Sequence, residues 1–415
     1  MQDYTLLRDP IHGFIRVNRL EREVINSAPF QRLRHIKQLA LTHMVYHGAE
    51  HTRFGHALGV MALSSRVFDV LVLQNREQIR SFLGWSEDDI ERYRQLLRLA
   101  AALHDIGHPP FSHATERDLF PQGFDHTTYG KRIVEETALR DIIDTYGKPL
   151  GISTADLVPL FGSFKGSHLA FLQRIFAGDL DVDRMDYLLR DSLYTGVSYG
   201  LFDLDRLIHT MTLAEDPKTG EPILVIEEGG THAAEGLLLG RYFMFTQVYF
   251  HKVCRAYNIL LTDFVRQILP RGKYPKDIHK FLELDDLSIY AEMKENKEGL
   301  GRRILGRSHY QCLFETSESC TPEEIRKFEE FREKILRQHP EVDLKEDVSD
   351  SAPHRFAHEA FYVKKMSGEL SPIDRESLLI RTLQPIRQRR LYLRNPERIE
   401  PERIEDDGLQ IPSNP

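Results

Sequence analysis

Apolar residues recur along this chain with two periods, and the helical one dominates. Over residues 1–20 apolar and polar positions alternate weakly, and Asp9-Pro10-Ile11-His12-Gly13 reads as a turn between two short strands. From Glu21 to about Thr262 the spacing is mostly helical. Asn26 and Ser27 stand where they could cap a segment whose Phe30, Leu33, Ile36 and Leu39 form one apolar face. Residues 56–73 are apolar nearly all round, as in a central buried helix. Ser86-Glu87-Asp88-Asp89 marks a helix start with an acidic first turn. That helix runs through Leu96, Leu97, Leu99, Ala100 and Leu103 to His104-Asp105, and Gly107 with Pro109-Pro110 stops it.

Further helices are predicted over residues 156–176 and 183–193, and one long helix over 233–268. Between them, the turn residues of 215–222 and the run Ile223-Leu224-Val225-Ile226 predict a small hairpin. Beyond Pro270 come shorter helices, a break near 350–353, and a strand at 361–363. The expected fold is mainly α, with a small β-hairpin and a smaller α/β region at the C-terminal end. The expected organisation is a core over 1–270, a region over 271–394 for oligomerisation or regulation, and a mobile Pro-, Glu- and Arg-rich tail over 395–415.

Composition narrows the function classes. With 415 residues the chain can build one large core and an appended unit. A net charge of −8 argues against a surface that coats nucleic acid, though it leaves a local basic pocket open. Cys254, Cys312 and Cys320 have no zinc-binding spacing and form no disulfide framework, which fits a reducing compartment. The first residues lack the basic and apolar regions of a signal peptide, and no apolar run approaches the span of a bilayer. A cytoplasmic protein without a membrane partner is expected.

The chemistry sits in three separated motifs: His51-Thr52-Arg53-Phe54-Gly55-His56, His104-Asp105, and Asp183-Arg184-Met185-Asp186-Tyr187. Each sets imidazole or carboxylate in or at the end of an apolar helix, and those groups suit Zn, Mn and Fe. An ionised Asp105 beside the buried run Leu99–Leu103 needs a partner, which either a metal ion or a salt bridge provides. His56 alone reads better as a core histidine bonded to a backbone carbonyl; together with the other motifs, and with Arg53 three residues earlier, it reads as a ligand beside a phosphate contact. Asp183, Tyr187 and Asp191 recur at four-residue spacing and share a helix face. Asp179, Asp181 and Asp183 do not make a calcium loop, because Arg184 and Arg190 stand where glycine and glutamate are required. Pro109 takes His108 out of helical geometry and into a loop that can face a cavity. Glu116 and His126 allow a carboxylate–imidazole pair, and Arg241 with Tyr249 a cation and an aromatic ring in one pocket. Core packing explains Tyr249 as well. The pattern as a whole is that of a metal-assisted phosphohydrolase.

The motifs HTRFGH, HDIGHPPFSH and DVDRMDYLLRD, supported by DPIHGFI, FQRLRHIKQLA and RYFMFTQVYFHKV, resemble the HD-domain deoxynucleoside triphosphate triphosphohydrolases over about residues 5–260. The likeness is greatest to the compact bacterial members, which are related to the vertebrate SAM-and-HD-domain enzyme. The resemblance implies an HD-domain helical core and one divalent metal per active site, held by His56, His104, Asp105 and Asp183. Four protein ligands leave octahedral positions open, which favours Mn, Mg or Fe over Zn. It implies phosphate contacts from Arg53, Arg184 and Arg241, with Arg184 replacing a lysine of the vertebrate enzyme. It assigns His108, His113 and His126 to catalysis, with Glu116 as the carboxylate partner of His126. Gln38, Tyr187 and Asp191 would meet the deoxyribose 3′-hydroxyl, while Leu39 and Tyr249 would crowd the 2′ position. The implied reaction is attack of metal-activated water on the α-phosphorus, releasing deoxynucleoside and triphosphate.

Partners implied in the same way are a dNTP substrate, a nucleotide effector and further copies of the chain in a dimer or tetramer. Members activated by guanine nucleotide read the base with an Asp where this chain has Asn26, beside Gln31 and Arg34. An amide lacks the charge that strengthens those bonds, which weakens the case for that activator here. The competing reading is an HD-family nuclease or phosphodiesterase acting on DNA, RNA or a signalling nucleotide. It would use the same ligands and would make single-stranded nucleic acid a partner.

Overall fold

A computed structural model describes residues 4–162, 168–178, 180–352 and 361–394; the expected tail over 395–415 lies outside the described residues. Thr5–Asp9 and Gly13–Val17 pair antiparallel across the expected turn. Helices then build the body. The central helix, Arg53–Leu83, is lined by Ala57, Val60, Met61, Leu63, Val67, Phe68 and Leu71, all buried. Its neighbour, Glu87–Leu103, starts with the reciprocal Ser86–Asp89 cap and carries the His104-Asp105 doublet at its C-terminal end. The Val182–Thr195 helix crosses the central helix and is capped by the Asp181 side chain on Arg184 N.

The hairpin is Met211–Glu215 with Pro222–Glu227, and the second strand continues parallel to Tyr362–Lys364, which pairs with Leu370–Pro372. A three-stranded sheet places Ile386–Leu393 between Gln311–Glu315 and Leu344–Ser351. The Pro322–Gln338 helix covers it through Phe328, Phe331 and Ile335. The fold is mainly helical with small sheets, as the pattern predicts. One apolar core reaches from Ile15 to Tyr392 and includes Ile278, Phe281, Ile289 and Met293, so packing continues across residue 270.

Four expectations are corrected. Residues 27–39 are not one helix. Arg19–Asn26 ends before Ser27, whose hydroxyl donates back to Val24 O at 2.6 Å, and only the short Ala28–Gln31 helix and a 3₁₀ turn at Arg32–His35 follow. Residues 156–176 are likewise divided, into Thr154–Leu157, a 3₁₀ turn at Val158–Phe161 and His168–Ala177. The predicted 233–268 helix is Thr231–Met244 and Lys252–Ile268, joined by a π turn at Phe245–Tyr249. Finally, the Arg53–Leu83 helix is long and apolar enough to cross a bilayer, with a mean hydropathy of 1.5, but 67% of that window is buried inside the fold. It is the core helix.

Candidate metal centre and active site

Three helix ends meet at the three motifs. His56 Nε2 lies 2.9 Å from Asp183 Oδ1 and 3.5 Å from Asp105 Oδ2. His104 Nε2 lies 3.2 Å from Asp105 Oδ1 and 3.6 Å from Asp183 Oδ1. Both imidazoles are set with the same logic. His56 Nδ1–H donates to Asp186 Oδ2 at 2.8 Å and His104 Nδ1–H to Ala101 O at 2.7 Å, which turns both Nε2 lone pairs toward the two carboxylates. Among the described residues His104 Nε2 is buried with no hydrogen-bond partner. An orphaned buried acceptor facing two carboxylates and a second imidazole is the donor set of a divalent ion. The donor atoms of His56, His104 and Asp183 lie within 4.8 Å of one another. Burial alone would keep His56 neutral, yet the Asp183 and Asp186 hydrogen bonds outweigh it and raise its pKa to about 10. The cluster's own field therefore calls for positive charge, which a proton or a bound cation can supply.

Behind this cluster stands a network that the sequence reading missed. Asp186, fully buried, accepts from His56, from His12 Nε2 at 2.6 Å, and from Arg190 Nε and Nη2 at 2.8 and 2.9 Å. Arg190 is also held by Asp9, at 3.0 and 3.3 Å. The available signal was the i,i+4 pair Asp186–Arg190 inside an apolar helix pattern; the contacts to Asp9 and His12 span over 170 residues and leave no local trace.

Arg53 is buried and paired with Asp105, and its Nε donates to Ser112 Oγ at 2.6 Å. It thus lies in the wall of the site, gripping a candidate ligand. Burial alone would raise the Asp105 carboxyl; the Arg53 charge prevails and holds it well below the usual carboxylate range.

His108 joins the metal cluster to a second group. Its Nε2 is 3.2 Å from Asp105 Oδ1, and its ring stacks on His126 at 4.4 Å. Burial, then the Arg53 charge, push its pKa well down, so it is a neutral imidazole. Glu116 accepts from His126 Nδ1 at 2.5 Å and from His113 Nδ1 at 2.7 Å. Burial alone would raise Glu116, but those two hydrogen bonds hold it well below its ordinary range. Burial works against charge on His126 too; the bond to Glu116 overcomes it and raises the pKa. The donor atoms of His108, Glu116 and His126 are close enough to share an ion. However, the His108 and His126 rings are only 9° from parallel, so their in-plane lone pairs run side by side and cannot converge on one centre. What the group offers instead is a carboxylate bonded to two imidazoles, an arrangement along which a proton can pass. Gly107 permits its approach: a Cβ there would sit 2.0 Å from His126 O and 2.4 Å from Gly130 N.

The remaining sequence-predicted residues gather on a third side. Asp191 accepts from Tyr249 Oη at 2.7 Å and from His51 Nε2 at 2.8 Å. Tyr187 lies edge-on to Tyr249 at 6.3 Å. Burial lifts the Tyr187 hydroxyl to about 12 and, with the Asp191 charge, the Tyr249 hydroxyl well above its usual value. Both feel the charge of Arg241, whose guanidinium lies 5.5 Å from the Phe245 ring centre. Gln38 N bonds His51 O at 3.1 Å, which puts Gln38 and the half-buried Leu39 beside His51. Gln38 Oε1 and His51 Nδ1 are buried without a hydrogen-bond partner among the described residues. Arg184 Nη1 turns back to Gly178 O and, at 3.3 Å, to Asp181 Oδ2. The face shared by Asp183, Tyr187 and Asp191 is thus divided: Asp183 meets the metal cluster and Asp191 meets Tyr249 and His51.

Comparison with known proteins agrees with this geometry. Residues 53–191 match the HD domain, and residues 202–394 match the HD associated region. The chain belongs to the HD-domain family. Over 95% of its length it superposes on a hypothetical protein from Aquifex aeolicus, covering 97% of that structure with a TM-score of 0.78 and 32% identity. It is 37% identical over 279 residues to an uncharacterized Bacillus subtilis protein, YwfO, covering 67% of this chain and 58% of that one. It is also 31% identical over 309 residues to the deoxynucleoside triphosphate triphosphohydrolase SAMHD1 homolog of Dictyostelium discoideum, covering 71% of this chain and 55% of that one. The chain therefore spans less than two thirds of the length of these curated relatives. HD-family membership and a cluster of donor atoms able to hold a metal ion together support a metal-dependent phosphohydrolase.

Proposed function

We propose that this chain hydrolyses deoxynucleoside triphosphates to deoxynucleoside and inorganic triphosphate. The observation that carries the reading is the continuity of the ligand cluster with the proton-transfer group: Asp105 touches His108, and His108 stacks on the Glu116-bound His126. His56, His104, Asp105 and Asp183 would hold one divalent ion, with Mn, Mg or Fe preferred. When bound, it supplies Lewis acidity and lowers the pKa of a coordinated water.

The chain's own residues do the rest. His126, kept protonated by Glu116, gives its proton to the 5′-oxygen as that oxygen leaves the α-phosphorus. His108 and His113 flank it and stabilise charge on the phosphoryl oxygens. Arg53, Arg184 and Arg241 offset the charge of the phosphate chain. Gln38, Tyr187 and Asp191 orient the deoxyribose through its 3′-hydroxyl, and Leu39 with Tyr249 leaves no room for a 2′-hydroxyl. The Dictyostelium relative's name supports the substrate class. We further propose a cytoplasmic homo-oligomer, dimer or tetramer, whose response to a nucleotide effector is altered by Asn26.

The test is product separation after incubating the protein and Mn²⁺ with each dNTP, with and without GTP or dGTP. Deoxynucleoside plus intact triphosphate is the expected result. Inertness toward every dNTP, with mononucleotides released from oligonucleotides, would replace the reading by the nuclease one.

A further inference from the structure

The Asp286–Glu295 helix belongs to the HD associated region, yet its first residue reaches into the wall of the active site. Asp286 is 2% exposed. Its Oδ1 accepts from Phe111 N at 2.7 Å and its Oδ2 from Lys37 N at 2.8 Å. Each of these amides belongs to a segment that carries chemistry. Phe111 and Ser112 precede His113, and both hold positive φ, 59° and 55°, which residues with a side chain keep only when their surroundings enforce it. Lys37 precedes Gln38.

The two segments are also tied to each other. Ser112 Oγ donates to Lys37 O at 2.8 Å and accepts from Arg53 Nε at 2.6 Å, and Arg53 grips Asp105. Arg32 closes the arrangement from the other side. Its Nη1 donates to His108 O at 3.0 Å and its Nε to Leu284 O at 2.9 Å, two residues before Asp286. An ordinary surface acid would face solvent. This carboxylate faces two backbone amides from segments 74 residues apart, 37 and 111.

We propose that Asp286 is a positioning residue for catalysis: by clamping the Lys37 and Phe111 amides it sets the turn that presents His113 and, through Ser112 and Arg53, the orientation of Asp105. The inference rests on the hydrolase reading of this site, without depending on which phosphate ester is the substrate. Lys37 and Phe111 come from distant parts of the chain, and Asp286, from a third, bonds to both.

The experiment compares wild type, Asp286→Asn, Ser112→Ala and the double variant in the full-length chain. An amide can accept from only one of the two N–H groups and opposes the other with its own NH₂. For Asp286→Asn we expect kcat to fall at least about tenfold, with KM within about threefold and saturating Mn²⁺ content unchanged. Amide exchange should quicken together over 35–40 and 108–114, and the double variant should be no worse than the worse single one. Hydrolysis of bis(4-nitrophenyl) phosphate is measured beside that of dNTPs. Wild type that cleaves this ester but no dNTP sinks the triphosphohydrolase reading and leaves the clamp testable on the ester. Unchanged kcat in Asp286→Asn, additive losses in the double variant, or a loss matched by lost metal or lost folded protein would each overturn the clamp. If Asp286→Asn does not fold, Ser112→Ala with exchange over 35–40 decides: unaltered exchange there rejects the linkage.

Discussion

The Tyr249 hydroxyl donates to Asp191 Oδ2 at 2.7 Å, across a π turn that interrupts what the apolar pattern presents as one continuous helix. The extra backbone residue in such a turn re-aims the side chains after it, and these turns often occur at functional sites. Here it carries Tyr249 to the carboxylate that also holds His51. Removing only the hydroxyl, Tyr249→Phe, costs a hydrogen bond to a charged group, about 1.5–3 kcal/mol. We expect kcat/KM for dNTPs to fall at least about tenfold. Because the ring stays, the proposed exclusion of ribonucleotides should persist, as steady-state assays of paired dNTP and NTP substrates would reveal.

On the proposed mechanism, His126 and Glu116 would set the alkaline side of the pH profile. Against the opposing effect of burial, Glu116 raises the His126 pKa above 6.5, so a proton donor there would survive to higher pH and activity should fall as pH passes that raised value. Glu116→Gln should move the alkaline limb of kcat toward lower pH. His126→Asn should reduce kcat by about 10²–10⁴-fold, the usual worth of a positioned acid. A kcat–pH series on both variants tests this; an unmoved limb in Glu116→Gln removes His126 from the acid role.

Asp186→Asn is the sharpest probe of the network behind the ligands. It would weaken the support of His56 and leave Arg190 with Asp9 as its remaining acid partner. Metal affinity should drop about 10–100-fold, as when a partner that orients a ligand is lost. Stability should fall by about 3 kcal/mol, because a buried cation loses a carboxylate. Titration calorimetry with Mn²⁺ and urea unfolding measure the two effects separately.

Gly107→Ala tests the closeness of the doublet to the His126–Glu136 helix. The added methyl group would collide with backbone rather than with a side chain that can swing away. A destabilisation of about 1–3 kcal/mol is expected. Loss of activity should exceed loss of folded protein, because the displaced helix begins at His126. Circular dichroism and turnover on the same sample distinguish these contributions.

The cluster of candidate ligands was legible because ionisable groups within apolar runs are expensive, and His56, His104-Asp105 and Asp183 stand out against such runs. The strand pair at the N-terminus, the Ser86 cap and the hairpin were legible from local chemistry alone. What local pattern could not carry was contact between distant segments. Asp9 and His12 read as turn residues, and nothing in the local pattern singles out Asp286, until the fold sets each against a partner far along the chain. The helix interruption at 245–249 was hidden because no glycine or proline marks it. Near 27 the error was one of direction: Ser27 bonds backward to a finished helix.

The proposed ligand set draws His56, the 104–105 doublet and Asp183 from points far apart in the chain. An ion held there is a cross-link as well as a reagent. At a hundredfold excess over its Kd it would add about 2.7 kcal/mol to the folding equilibrium, and a chelator would take that away. Cells short of the metal would then face a protein that is more easily unfolded and degraded, besides being idle, so its abundance would follow the metal supply.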